Sequence, residues 1–290
     1  MRSLRLEMLQ VARLAPKVLG DSAELVRDFL LQQFLPSGGA HDRGGKADLY
    51  YTIFALAGLE AVMAKAPPQH DWLATFRDGE GLDFIHLGAL ARCRAATGFP
   101  SPEMLPRIEE FRTPDGGYHE TRGAKFGHAY GCFVALGAYQ DAGIEIPEPL
   151  RMVQCLKFLE TPDSAWGNVR AMRKGTVPAT AAAVTLLHQL GLPVNECVAD
   201  WLLAQMHADG GWLAVPGSPI PDLLSTATAL HALACLERPL TDSQRERTLN
   251  FVDTLWSAKG GFHGHWSDDA LDAEYTFYGL LALGHLHSAE

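Results

Sequence analysis

Three acidic residues stand at the start of two apolar stretches in the last third of the chain. Asp222 opens "DLLSTATALHAL", and Asp272 and Glu274 lie at the start of "DAEYTFYGLLALG". A carboxyl group beside an apolar surface can donate a proton, accept one or bind a metal ion. Asp222, Asp272 and Glu274 are therefore the candidate catalytic residues, although an aspartate at a helix start can also serve as a cap.

Two loops in the middle of the chain, within "ETRGAKFGHAY" and "GNVRAMRKGTV", are rich in basic residues. Lys125 stands at a predicted helix start, where its charge opposes the helix dipole unless an anion offsets it. Helix N-termini and basic side chains both favour phosphate, so the pattern predicts a diphosphate site. The alternative is a pair of solvated loops whose cations bind nearby acids. The predicted diphosphate-binding residues are Arg122, Lys125, His128, Arg170, Arg173 and Lys174.

The segment "HGHWSDDALDAE" is unusually rich in carboxylates and imidazoles. Such side chains bind metal ions, and Mg²⁺ is the ion that would accompany a diphosphate. A solvent-exposed polar loop is the plainer interpretation. The candidate metal ligands are Asp222, His263, His265 and Asp272.

Aromatic residues gather at the turns and at the starts of the apolar helices. Their faces can stabilise a developing carbocation, or they can fill a core. Together with apolar walls and a cationic rim, they suit a ligand with a long apolar tail and a diphosphate head. The predicted cavity aromatics are Tyr51, Tyr130, Trp212, Tyr275 and Tyr278.

These residues recur in register because the chain is a repeat. Amphipathic segments ending in glycine-containing turns such as "ADGGW" alternate with apolar segments that begin at 48, 83, 125, 176, 222 and 272, at intervals of 35 to 51 residues. Self-similarity of this period indicates stacked helical pairs. The second and fourth copies carry the weakest turn sequences.

The two helix types predict how the pairs assemble. The first helix of each pair has one apolar stripe, whereas the second is apolar nearly all round and should be buried on most sides. Six buried helices inside six amphipathic ones predict an all-α, closed (α/α)6 barrel. The chain is predicted to be one domain over 1–290, with an N-terminal amphipathic helix at 1–20 and six repeats over about 21–287.

Bulk composition limits the function classes. The chain has 290 residues and a net charge of −10, which argues against nucleic acid as the main partner. Five scattered cysteines without a CxxC pair indicate free thiols in a reducing cytoplasm. Basic residues interrupt every apolar run near the start, so we expect neither a signal peptide nor a membrane span.

The "DGGW"-type turns and "D..YT..AL.AL" helices resemble the α/α barrels of protein prenyltransferase β subunits and of squalene, oxidosqualene and diterpene cyclases. The resemblance covers roughly residues 20–287. It implies an isoprenoid diphosphate bound in the barrel, and a helical partner subunit is possible because the prenyltransferases work with one.

The residues that carry the family's chemistry are only partly present. The zinc ligands of the prenyltransferases would fall at Asp222, Leu224 and Tyr275, so the standard zinc site is not predicted. Of the cyclases' Asp-x-Asp-Asp, the stretch that starts at Asp222 keeps the first aspartate alone, which argues against cyclisation initiated by a proton.

The leading hypothesis is an enzyme that transfers, ionises or cyclises a prenyl group. The alternatives are a non-catalytic lipid-binding or protein-binding barrel and a glycan-processing barrel. The last would need Asp48 or Asp83 paired with Asp222 or Asp272 across the mouth.

Overall fold

A computed structural model describes residues 3–287. Residues 1–2 of the predicted N-terminal helix and residues 288–290 of the predicted domain lie outside the described residues. The α-helices in chain order are α1 (Leu4–Ala12), α2 (Ala15–Leu19), α3 (Ser22–Gln32), α4 (Leu49–Ala61), α5 (His70–Ala74), α6 (Phe84–Ala96), α7 (Leu105–Glu109), α8 (Ala129–Asp141), α9 (Pro149–Lys157), α10 (Val177–Gln189), α11 (Cys197–Ala204), α12 (Leu223–Cys235), α13 (Asp242–Thr254) and α14 (Ala273–Leu286). A two-stranded ribbon, β1 (Ala40–His41) and β2 (Ala47–Asp48), precedes α4.

Six helices form a closed inner ring. Each inner helix contacts the next one in the order α4, α6, α8, α10, α12 and α14, and α14 in turn contacts α4. These helices are buried on nearly all sides because most of their residues are apolar. In α10, for example, Val177 and Leu186 lie on opposite faces of the helix and both are fully buried. The prediction of an all-α barrel built from helical pairs is confirmed.

The outer helices α3, α5, α7, α9, α11 and α13 surround this ring, and the turn after each outer helix packs on the next repeat. At Gly260 the chain has φ 92°, and a Cβ there would lie 2.0 Å from the carbonyl oxygen of Leu25 in α3. Only glycine fits so close an approach. The last repeat therefore closes onto the first in the outer layer as well.

The turns themselves are nearly identical. Short antiparallel bridges join the residues on either side of the turn in repeats one, three, four, five and six. The fourth repeat keeps this turn although Ser164 (φ 66°) occupies the position of the glycine, whereas no such bridge occurs in the second repeat within residues 3–287. Of the two copies predicted to be weakest, only the second therefore departs from the common turn.

In four of the six repeats a threonine in the first turn of the inner helix holds the preceding turn to that helix. Its hydroxyl accepts a hydrogen bond from a backbone N–H of the turn, as Thr226 does from Trp212 at 2.9 Å. Without it, that buried N–H would lose its partner. The equivalent bonds join Thr52 to Ala40, Thr180 to Trp166 and Thr276 to Phe262.

The third inner helix begins later than the sequence predicts. Position 125 was predicted as its start, but α8 begins at Ala129 with His128 as its N-cap, and Lys125 lies in the exposed loop before it. The turn accounts for the shift: His128 N donates to Tyr118 O at 3.1 Å and His128 has an extended backbone, while a Cβ on Gly127 would lie 2.7 Å from Tyr118 N. The prediction that Lys125 opposes a helix dipole is therefore wrong.

The N-terminal segment forms two helices instead of the one predicted for 1–20. The break falls at Arg13 and Leu14, just before Pro16, which is tolerated only in the first turn of a helix. Helix α1 crosses the ring at the C-terminal ends of the inner helices: Leu4 N donates to Gln140 Oε1 at 2.9 Å, and Arg5 binds Asp141 at 3.0 Å. We call this closed end the floor and the opposite end, where the inner helices start, the mouth.

Within residues 3–287, no helix combines the length and the apolar character needed to span a bilayer.

Candidate functional site

The mouth is ringed by N-cap side chains. Each accepts a hydrogen bond from the backbone N–H three residues further on, which satisfies a donor that the helix itself leaves unpaired. The ring consists of Asp48, Asp83, His128, Thr176, Asp222 and Asp272. All but His128 were predicted as the first residues of the inner helices.

Asp222, a predicted catalytic residue, uses both carboxylate oxygens within its own helix. Its Oδ1 accepts from Ser225 N at 2.7 Å, and its Oδ2 accepts from Ser225 Oγ at 2.8 Å. Burial raises the pKa of Asp222, and these hydrogen bonds oppose the shift. The geometry therefore assigns Asp222 to helix capping.

Asp272 is also engaged. Its Oδ1 accepts from Tyr275 N at 2.8 Å, and its Oδ2 accepts from Arg43 Nε at 2.7 Å. Arg43 extends the same network to Asp268 at 2.8 Å and lies 5.5 Å from the ring centre of Tyr275. The loop before α4 is thereby tied to the start of α14, where the ring closes.

Glu274 differs from both aspartates because it points into the barrel. Tyr50, on α4, donates a hydrogen bond of 2.6 Å to Glu274 Oε1. Burial raises the pKa of Glu274 to about 7, and the hydrogen bond from Tyr50 limits the rise by stabilising the carboxylate. A substantial fraction of Glu274 is therefore a neutral carboxylic acid at neutral pH.

A narrow cavity of about 60 Å³ lies on the floor side of this pair. Its aromatic walls are formed by Tyr50, Phe54, Tyr130, Phe133 and Tyr278. The rings of Tyr50 and Phe54 meet edge to face at 5.0 Å, so aromatic side chains fill most of the interior. Two of the predicted cavity aromatics, Tyr130 and Tyr278, line this cavity.

The other predicted aromatics lie elsewhere. Tyr51 is at the mouth, with its ring 5.8 Å from that of Tyr50, and Tyr275 packs at the rim against Gly264. Trp212 is fully buried in the turn of the fifth repeat, and its Nε1 donates to Leu202 O at 2.7 Å. Trp212 is thus a core residue, because the only polar atom of its side chain already donates a hydrogen bond within its own repeat.

The floor end of the cavity carries charges that sequence reasoning missed. Arg92 and Asp141 line it, and Arg5 from α1 binds Asp141. Burial raises the pKa of Asp141, and the charges of Arg92 and Arg5 oppose that rise. The sequence signals were Arg92, one of two arginines in α6, and Asp141 at the end of the largely apolar α8.

The predicted diphosphate-binding residues do not converge on one point. Arg122 binds Glu110 at 2.9 Å and covers the ring of Phe111, and Arg170 binds Asp115 at 2.5 Å between Phe126 and Phe158. His128 contacts Glu120 through Nε2. Lys125, Arg173 and Lys174 are exposed at the rim.

The predicted metal ligands also bind different partners instead of facing a common point. Asp272 binds Arg43, Asp222 caps its helix, and His263 Nδ1 lies 3.1 Å from Ala270 O. Within residues 3–287, the groups of three potential ligand atoms lying within 4.8 Å of one another are Glu7, His231 and Cys235, and His119, Glu120 and His128. No such group contains the predicted ligands Asp222, His263, His265 or Asp272.

His86 is a further residue whose role the sequence did not show. It bridges two caps, with Nε2 2.9 Å from Asp48 and Nδ1 2.8 Å from Asp83. The hydrogen bond with Asp48, reinforced by Asp83, raises the pKa of His86 to about 9 against the effect of burial. Asp48 and Asp83 are thereby occupied, which removes the carboxylate pair that a glycan-processing site would need.

The fold resembles those of isoprenoid enzymes. A variant of the type II terpene cyclase MstE from Scytonema, in complex with its substrate geranylgeranyl dihydroxybenzoate, is 13% identical with a TM-score of 0.63, covering 97% of each chain. A protein from Actinoplanes is 18% identical with a TM-score of 0.62, covering 92% of this chain and 98% of that one. Protein geranylgeranyltransferase-I from Candida albicans, complexed with GGPP, is 14% identical with a TM-score of 0.51, covering 96% of this chain and 81% of that one.

No curated protein matches the chain in sequence. The family model described as prenyltransferase alpha-alpha toroid domain matches residues 15–85 and 155–289. The stretch between them contains most of α6 and the whole of α8, which keep their places in the ring although their repeats have diverged. The family match spans well over half of the residues, and the chain therefore belongs to the prenyltransferase α/α toroid family.

Proposed function

We propose that the protein is an enzyme that encloses a prenyl chain in the barrel and transfers a proton to it from Glu274. The observation that carries the proposal is the 2.6 Å hydrogen bond that holds the Glu274 carboxyl on Tyr50, a residue that lines the aromatic cavity; burial there raises the pKa of Glu274 to about 7, so part of it carries a proton at neutral pH. A carboxylic acid that stays protonated at neutral pH can act as a general acid. The proposal keeps Glu274 as catalytic and assigns Asp222 and Asp272 to capping.

The proposed step balances without a further reactant. The O–H bond of Glu274 breaks, its proton forms a C–H bond with one carbon of a trisubstituted alkene in the prenyl chain, and a tertiary carbocation remains on the other carbon. Tyr50 stabilises the resulting carboxylate through its hydrogen bond, and the faces of Phe54, Tyr130 and Tyr278 stabilise the cation. Attack by another alkene of the chain closes a ring and moves the positive charge to that alkene. The cyclised cation then loses a proton to water, which forms the double bond of the product, and the Glu274 carboxylate takes up a proton from solvent.

The prenyl chain is the part of the substrate that the related structures have in common. One of them contains geranylgeranyl dihydroxybenzoate and another contains GGPP. Their head groups differ, whereas the geranylgeranyl group is shared. This supports a long prenyl chain for the protein described here and leaves its head group to be tested.

For the head group we propose a diphosphate at the rim. Lys125, Arg173 and Lys174 are exposed there, and together they supply positive charge in a protein of net charge −10. Arg122, His128 and Arg170 contact acidic partners. They would contribute to diphosphate binding either by exchanging those partners for the phosphate oxygens or through long-range electrostatic attraction. Mg²⁺ would accompany the diphosphate, and its ligands would come mainly from the phosphate oxygens and water.

Substrate binding requires the barrel to open. A cavity of about 60 Å³ is well below the roughly 300–1,000 Å³ of ordinary ligand sites. Tyr130 lines the cavity and is 38% exposed, so its ring can move towards solvent. Gly88 and Gly137 line the same cavity without side chains that would block it. Displacement of Tyr130 and the rings beside it would therefore lengthen the cavity. We propose that the prenyl chain enters from the mouth by this route.

Titration calorimetry with geranylgeranyl diphosphate and Mg²⁺ tests the proposal. Gly137→Leu places a side chain in the cavity and should weaken binding by at least about tenfold, or about 1.4 kcal/mol. Gly137→Ala is the matched control, because its Cβ would make an ordinary contact with Leu4 Cδ1 at 3.8 Å. Equal affinity for all three proteins would place the ligand outside the barrel and overturn the proposal. Geranylgeraniol, titrated alongside, separates the contribution of the head group.

The second candidate is a non-catalytic barrel that binds a lipid or a protein partner. The small cavity and the use of Asp222 and Asp272 as caps favour it. It predicts that Glu274→Gln leaves every measurable biological activity unchanged. A helical partner subunit is part of this candidate as well as of the enzymatic one, and co-purification from the native host tests for it.

A further inference from the structure

A cluster of metal-binding side chain types lies at the floor, at the opposite end of α12 from Asp222. Glu7 comes from α1, and His231 and Cys235 stand one turn apart on the same face of α12. The ligand atoms of these three residues lie within 4.8 Å of one another. A histidine and a cysteine four residues apart on a helix can bind one ion together.

The distances fit a tetrahedral ion. Glu7 Oε1 lies 3.7 Å from Cys235 Sγ, 3.8 Å from His231 Nε2 and 3.7 Å from His188 Nε2. Zn–N and Zn–O bonds of about 2.0 Å and a Zn–S bond of about 2.3 Å put neighbouring ligand atoms about 3.3–3.5 Å apart. The distances from Glu7 Oε1 to His231 Nε2 and Cys235 Sγ exceed these values by a few tenths of an ångström, and all three ligand atoms lie within 4.8 Å of one another, so a modest contraction would bring them onto a common ion.

The His231 ring supplies an independent indication. It is 2% exposed, and its Nε2 atom has no hydrogen-bond partner among the described residues. A buried polar atom without a partner costs free energy unless something binds it. Because Nε2 points towards Glu7 and lies beyond hydrogen-bonding distance, the position between them suits an ion.

The surroundings orient the ligands as metal sites usually do. His231 Nδ1 lies 3.1 Å from His285 Nε2, so Nδ1 can carry the proton and leave Nε2 as the electron-pair donor. Gln189 donates to the other carboxylate oxygen of Glu7, which leaves Oε1 facing the cluster.

We propose that Glu7, His231 and Cys235 bind a Zn²⁺ ion at the floor, with His188 or a water molecule in the fourth position. Binding replaces the thiol proton of Cys235, which goes to solvent, with a bond from the thiolate sulfur to zinc. Mixed nitrogen, oxygen and sulfur donors favour zinc over Mg²⁺ or Ca²⁺. The glutamate, the histidine of the fourth position and the cysteine are all partly exposed, so the ion can enter from solvent.

This ion would fasten α1 to α12 and hold the floor shut. It is separate from the zinc position at the mouth, where Leu224 and Tyr275 provide no standard ligands. Its ligands are not among the residues that line the aromatic cavity, so the proposed ion site is distinct from the proposed prenyl site. Its role is structural.

Titration of the metal-free protein with Co²⁺ tests the proposal, because a cobalt–thiolate bond gives a charge-transfer band in the near ultraviolet. We expect a band that saturates at one equivalent and is abolished by added Zn²⁺. Cys235→Ser should abolish the band, and Cys197→Ser, which changes an exposed cysteine on α11, should retain it. Absence of the band from the wild type, or its persistence in Cys235→Ser, would overturn the proposal.

A second variant guards against a folding defect in Cys235→Ser. Glu7→Gln removes one ligand from a partly exposed position and should weaken Zn²⁺ binding by more than about 100-fold, since even second-sphere changes cost about 10–100-fold. Its melting temperature should no longer rise on addition of Zn²⁺, as that of the wild type should. The same rise in both proteins would contradict Glu7 as a ligand.

Discussion

Tyr50 donates a 2.6 Å hydrogen bond to Glu274 across the seam where the first inner helix meets the last. The two residues are 224 positions apart in the chain, and closure of the ring is what brings them together. The bond holds the one predicted catalytic acid that faces the interior against the aromatic wall of the cavity. Stability and proton transfer are therefore both expected to depend on this pair.

The first prediction concerns the pH dependence of stability. The pKa of Glu274 is about 7 in the folded protein, against an ordinary value of 4.5, so the unfolded chain loses its proton first as the pH rises. The folded state is thus penalised progressively between pH 4.5 and pH 7, by up to about 3 kcal/mol. Glu274→Gln removes that penalty, and urea unfolding should show the variant gaining stability relative to the wild type over this interval. A difference that stays constant from pH 4.5 to pH 8 would contradict the shifted pKa.

The second prediction concerns the pKa itself. Tyr50→Phe removes the donor that stabilises the Glu274 carboxylate, so the pKa of Glu274 should rise above its wild-type value of about 7. Carbon-detected NMR titration of the glutamate side chains measures it directly. Tyr51→Phe is the control at the neighbouring position and should leave the titration nearly unchanged. A fall in the pKa of Glu274 in Tyr50→Phe would be inconsistent with the observed bond.

The third prediction concerns the ion pairs at the seam. Arg43→Met leaves the carboxylate of Asp272, which is 3% exposed, without its cation. We expect a loss of about 1–3 kcal/mol in the free energy of unfolding, and Arg43→Met combined with Asp272→Asn should recover part of it. Arg27→Met breaks an exposed pair with Asp28 and should leave the free energy of unfolding nearly unchanged. Equal losses in the two single variants would rule out a special role for Arg43.

The fourth prediction concerns the turn threonines. Thr226→Val removes the acceptor of the buried Trp212 N–H and should destabilise the protein by about 1–3 kcal/mol. Thr228→Val is the matched control, because the Thr228 hydroxyl bonds only to the backbone of its own helix. Chemical denaturation of both variants measures the difference. Similar losses would show that the threonine pattern does not hold the turns.

The repeat made most of the fold predictable, because an N-cap residue, a glycine in a turn and an apolar run each depend on the local sequence alone. The third inner helix was misplaced since His128 is an unusual cap and Lys125 happens to fall at the expected spacing. The break in the N-terminal helix could have been read from Pro16. That α1 crosses the floor depends on packing with distant helices, which the local pattern does not encode.

The site was less predictable because it depends on which residues become neighbours when the ring closes. Sequence analysis could not show that Glu110 and Asp115 lie beside Arg122 and Arg170, or that Arg43 binds Asp272. The floor cluster did leave one signal, the spacing of His231 and Cys235 on a single helix face. Its third member, Glu7, lies outside the repeats.

The central claim is that Glu274 protonates a prenyl chain inside the barrel, and mass spectrometry of products formed from geranylgeranyl diphosphate in D2O tests it most directly. The account predicts a product that has gained deuterium on carbon and has kept its diphosphate, formed at least about 100-fold more slowly by Glu274→Gln. A wild-type protein that forms no deuterated product, or a Glu274→Gln variant that forms it at the wild-type rate, would contradict the account.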